Sequence, residues 1–190
     1  MKKGGAVARS RMIHMERTLG FATRFLDEVR DDIGQAALGG MDTPPRIRSV
    51  HEAPGHATPE FRTLNIPMPD GIGGASPEIL SGAIARFAAE KKPDRLLLAL
   101  EAQMDGASVL IAEARDRAGT RMFWVQPFAV AGTRVLWSEP LDGGWRDPGD
   151  EEMILDASFK GRALPDLGRS DVLVAVRKPQ RRLEPAMPAR

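Results

Sequence analysis

The sequence has no cysteine and only three histidines, His14, His51 and His56. The first absence excludes disulfides, thiol nucleophiles and thiolate metal sites. No run approaches the roughly 20 apolar residues that cross a bilayer. Lys2 and Lys3 are followed by no apolar stretch of the kind a secretory signal carries. The expectation is a cytoplasmic protein with no membrane partner.

The histidines do not form a zinc motif. His51 and His56 stand five apart, whereas the helical metalloprotease pair stands about four apart. Pro54 and Gly55 also break the helix such a pair would need. Gly71-Ile72-Gly73-Gly74 lacks a preceding strand, has Ser76 where the dinucleotide fingerprint has its third glycine, and is followed by no P-loop lysine. No Gly-x-Ser-x-Gly occurs. Neither a metal nor a cofactor is expected.

Acidic residues are scarce at the ends, where Glu184 is the one carboxylate side chain. In 190 residues with a net charge of +1, residues 1–12 hold +4 and residues 177–190 hold +4, which leaves −7 on the body. Basic tails can bind polyanions. These tails carry no aromatic to stack on bases, so nucleic acid is not the expected partner. Residues 1–11 and 179–190 read as disordered basic tails around one domain, 12–178.

Met12, Met15, Leu19, Ala22, Leu26, Val29, Ile33 and Ala36 alternate at spacings of three and four. This is an a/d seam on a helix over 12–36, which Gly39-Gly40 stops. The seam supports self-association through Met15, Leu19, Leu26, Val29 and Ile33, hence a homodimer. The competing reading lays the same stripe on the protein's own sheet, helped by Phe21 and Phe25. Residues 39–75 are rich in proline and glycine and read as a long irregular loop, with short extended pieces at 46–50 and 61–66. Ser76, Pro77 and Glu78 open a second helix, 77–92, which Pro93 ends.

Gly106, Gly119 and Gly132 are thirteen apart, each in a turn between apolar runs. This spacing predicts an antiparallel meander with strands near 95–104, 107–117, 120–130 and 133–140. Pro127 implies a bulge or an early end in the third of these. A short helix over 150–158 and a last strand over 172–176 follow. The expected fold is α+β, with two helices on a four- to five-stranded antiparallel sheet.

With two-residue loops at all three turns, one face collects Leu96, Leu98, Leu100, Ala102, Val109, Ile111, Met122, Trp124, Phe128, Val135 and Trp137 and lies under both helices. Glu113 then falls opposite Trp124, Trp124 opposite Glu139, and Gln126 opposite Trp137. Two carboxylates about 10 Å apart, bracketing a tryptophan beside an amide, describe a small polar-ligand pocket. In it Glu113 or Glu139 is acid or base, Gln126 orients the ligand, and Trp124 and Trp137 are walls. A three-residue loop at any turn would exchange the faces. Three functions are therefore carried forward. The first is a non-enzymatic binding or assembly module, the second a ligand-binding protein or enzyme using this pocket, and the third a nucleic-acid-associated protein using the tails.

Overall fold

The computed structural model describes residues 3–52, 58–66 and 77–160. Helix α1 (Lys3–Leu38) precedes strands β1 (Arg46–His51) and β2 (Glu60–Asn65). Helix α2 (Pro77–Lys91) leads into β3 (Arg95–Met104), β4 (Ala107–Asp116), β5 (Arg121–Ala131) and β6 (Arg134–Trp137). A 3-10 turn over Ile154–Asp156 runs into the short helix α3 (Ala157–Lys160). The strands form one antiparallel sheet in the order β2-β1-β3-β4-β5-β6. The architecture is α+β, with six strands where four or five are predicted. The two extra strands are the extended pieces at 46–50 and 61–66, which pair with each other as a hairpin across the expected loop. The segment 172–176 and the glycine-rich 71–74 lie outside the described residues.

Strand β3 explains the layering. Leu96 to Leu100 are apolar without a break, and all are buried. A strand apolar on both faces must be covered on both faces. Strands β2 and β3 both run antiparallel to β1, so they are parallel to each other and need a crossover between them. Helix α2 supplies it, packing Leu80, Ile84 and Ala88 on Leu96, Leu98 and Leu100. Helix α1 covers the other face, packing Ala22, Phe25, Leu26, Val29 and Ile33 on Leu97, Ala99, Leu110, Ala112 and Ala114. The helices therefore lie on opposite faces, not on one.

The turns set which side chains share a face. Met104 pairs with Ala107 across a two-residue loop at Asp105-Gly106, as predicted. The second turn differs. Arg115 pairs with Arg121, and the Asp116 N–H donates to the Thr120 carbonyl at 3.2 Å. The loop is thus Arg117-Ala118-Gly119, three residues closed by Gly119 at φ +97, the left-handed position this hairpin class requires. The extra residue rotates β5 and β6 by one position. Met122, Trp124, Phe128, Val135 and Trp137 consequently pack on the α1 face, opposite Leu96 and Leu98. The third loop is Gly132-Thr133, one residue later than predicted.

Pro127 lies inside β5 without ending it. Its carbonyl accepts the Ser138 N–H at 3.0 Å, at the point where β6 stops. A missing N–H is tolerated there because no full strand faces it.

Helix α1 runs alongside β3. Thr18 meets Arg95 at the start of β3 and Asp116 at the end of β4, while the Thr43 N–H donates to Glu101 near the other end. Thr18 is buried between two charges. Its hydroxyl donates to Asp116 Oδ2 at 2.9 Å and accepts from Arg95 Nε at 2.9 Å. Burial pulls the Arg95 guanidinium below its ordinary pKa, and Asp116 opposes this. Glu52 pairs with both Arg95 and Arg17. Replacing Thr18→Val keeps the shape and removes the hydroxyl, which leaves a buried donor and acceptor unpaired. The expected loss is about 1–3 kcal/mol, read as a lower urea midpoint at unchanged m-value.

Candidate functional site

The residues of the predicted pocket do not converge. Glu113 lies on the α2 face, paired with Phe123, whereas Trp124, Gln126 and Trp137 lie on the α1 face. Glu139 follows β6 and is exposed. The three-residue loop is the cause. The expected pair of carboxylates bracketing Trp124 is thus corrected: Glu113 is buried on the α2 face and Glu139 is exposed after β6.

Glu113 is 3% exposed. Its Oε1 accepts the Ile154 N–H at 3.1 Å and its Oε2 the Leu155 N–H at 2.9 Å. A carboxylate on those two donors caps the first turn of the segment that continues into α3. Arg115 and Arg121 lie nearby, but both pair with Asp156. Burial pushes the Glu113 carboxyl up to about 7 from 4.5, against the two backbone N–H groups and the two arginines. Both oxygens are occupied by the chain itself, so the group acts as a tether for 150–160 and not as an accessible acid or base.

Gln126 is tied to the proline beside it. In the pair Pro127 and Ser138, the proline accepts but cannot donate, which leaves the Ser138 carbonyl without its strand partner. Gln126 Nε2 donates to that carbonyl at 2.7 Å. The amide thus replaces the N–H that Pro127 lacks, and its Oε1 is buried without a partner among the described residues. Trp124 packs against Trp145 with ring centroids 5.5 Å apart, and Trp137 against Phe128 at 5.0 Å. Arg30 lies 5.0 Å from the Trp137 ring centroid. Gly144 backs the Trp124 ring, where an added Cβ would stand 3.1 Å from it. These tryptophans are half-buried core of the α1 face.

The α1 seam divides in two. Leu26, Val29 and Ile33 are fully buried on the sheet and Leu19 packs at its margin. Met12, Ile13 and Met15 are 52%, 53% and 47% exposed. They precede Thr18, which meets the ends of β3 and β4, so this part of α1 lies past the end of those strands. The sequence shows the apolar period but not where the sheet stops beneath it. Helix α1 itself begins at Lys3.

Edge strand β2 is exposed along its whole length, with Phe61 and Leu64 among its side chains. Phe61 meets Phe21 edge-on at 5.6 Å, and Arg48 lies over Phe25 and Phe61. His51 and His14 join no group of metal-ligating side chains among the described residues; His56 lies outside them. No helix among those residues is long and apolar enough to cross a membrane. No protein family, curated protein or solved structure matches the chain.

Two outcomes follow from this geometry. A carboxyl whose folded pKa is raised holds a proton that the unfolded chain releases. Its stabilising contribution is complete below pH 4.5 and is lost as pH rises through about 7. Urea titrations should show wild-type stability falling over this range relative to Glu113→Gln, by up to about 1.4 kcal/mol per pH unit. Gln126→Leu should cost about 1–2 kcal/mol by leaving the Ser138 carbonyl without a donor. That cost should shrink in a Pro127→Ala background, where a main-chain N–H returns to the same carbonyl; a double-mutant cycle reads the difference.

Proposed function

We propose that this chain is a non-enzymatic binding and assembly module that forms a homodimer through the projecting first turns of α1. The observation that carries the reading is the exposure of Met12, Ile13 and Met15 on helix that extends past the sheet. A helical segment of this length is marginal alone in water and gains most of its stability from a packed apolar face. Contiguous exposed apolar side chains also mark interaction surfaces.

A second copy is the partner that charge favours. The first twelve residues hold +4 in a chain whose central body is −7. Antiparallel pairing of two projections buries the methionines together. It also places the two basic ends at opposite ends of the pair, where each approaches the acidic body of the other copy.

The pocket reading has no comparable support, because Glu113 and the tryptophans lie on opposite faces. The tail-based nucleic-acid reading rests on charge alone.

Light scattering on a sizing column tests the assembly reading. The wild-type should run at twice the 20.7 kDa chain mass. The Met12→Asp, Met15→Asp double variant should run at the chain mass with unchanged circular dichroism, since neither side chain enters the core. Leu26→Asp should instead unfold the protein. A wild-type monomer at tens of micromolar would end the proposal.

A further inference from the structure

A cleft of about 350 Å³ opens between the end of α2, the Arg117–Gly119 turn and α3. One wall is apolar, made by Ala88, Ala89, Pro93 and Phe159. Arg115 lies 5.7 Å from the Phe159 ring centroid and backs it from the sheet side. The volume is at the lower end of the range for small-molecule sites.

The remaining lining is Lys92, Arg117 and Ser158, with no carboxylate among them. Arg117 donates through Nε to the Pro93 carbonyl at 2.9 Å and through Nη2 to the Lys92 carbonyl at 2.6 Å. These two bonds fix the guanidinium at the rim. Neither Arg117 nor Lys92 has a carboxylate partner among the described residues. The Ser158 hydroxyl oxygen is buried and has no hydrogen-bond partner among the described residues. A buried hydroxyl without a partner is costly in a finished core and useful in a binding site. Lys92 is held at φ +47, a left-handed backbone that a lysine adopts only at some strain.

We infer that this cleft binds a small amphiphilic carboxylate. Its apolar body lies against Pro93 and Phe159, and its carboxylate sits between Lys92 and Arg117 and accepts from the Ser158 hydroxyl. Two cations beside an apolar wall attract an anion with an apolar body more than a bare ion. The C-terminal end of α2 carries partial negative charge that opposes any anion, a dianionic phosphate more strongly than a monoanion, and Arg117 offsets it through its bonds to the Lys92 and Pro93 carbonyls. The site is separate from the projecting part of α1, and its occupancy does not depend on self-association.

The test is amide chemical-shift perturbation on the ¹⁵N-labelled full chain, titrated with phenylacetate. Inorganic phosphate and 2-phenylethylamine serve as controls. Phenylacetate should give saturable shifts at Ala88–Lys92, Arg117 and Phe159 that neither control reproduces. Lys92→Gly removes the ammonium at a backbone angle glycine accepts freely, and Ser158→Ala removes a hydroxyl with no partner among the described residues. Each should weaken phenylacetate binding roughly fivefold without lowering the melting temperature. Absence of saturable shifts at millimolar phenylacetate would overturn the inference. So would binding that both variants leave unchanged, or equal binding of phosphate or the amine.

Discussion

Strand β3 is buried on both faces from Leu96 to Leu100, and the rest of the architecture follows from covering it. An antiparallel sheet commonly leaves one side to water, and its strands then alternate apolar with polar. Here the central strand does not alternate, so one layer of helix is not enough. Helix α2 fills one side because the chain must cross the sheet to bring β3 beside β1. Helix α1 fills the other and places its seam on Leu97, Ala99 and Leu110. The segment after β6 completes the α2 side with Ile154 and Leu155.

The buried polar groups work as ties between these layers. Thr18 joins α1 to the ends of β3 and β4 through Arg95 and Asp116. Glu113 joins β4 to the turn before α3. Gln126 closes the gap that Pro127 leaves beside Ser138. Each group meets a partner distant in the chain or supplied by the backbone, which is how a buried polar atom is retained without destabilising the core. None of the three leaves a reactive atom open to a substrate.

Much of the sheet was legible in the sequence because glycine turns are local. Gly106, Gly119 and Gly132 mark three hairpins, and the bounds of β3 follow from Pro93 and the Asp105-Gly106 turn. The register of the second hairpin was not legible. Arg117-Ala118-Gly119 differs from a two-residue turn by one residue, and that residue decides whether Glu113 and Trp124 share a face. The β1–β2 hairpin was seen only as extended fragments, since flanking prolines conceal a pairing made by strands six residues long. The tether role of Glu113 was out of reach for another reason. Its partners arrive 41 and 42 residues later in the chain, and no spacing rule connects them. The seam of α1 is legible as a stripe, but periodicity alone does not say which half of it meets a sheet.

That division of α1 is the centre of the account: the later turns belong to the core, and the exposed turn at Met12–Met15 is the part proposed to meet a second copy. Amide hydrogen exchange at two protein concentrations tests it most directly. Protection at Met12–Glu16 should rise with concentration, while protection at Leu26–Ile33 stays high and constant. Fast exchange at Met12–Glu16 at every concentration would contradict it.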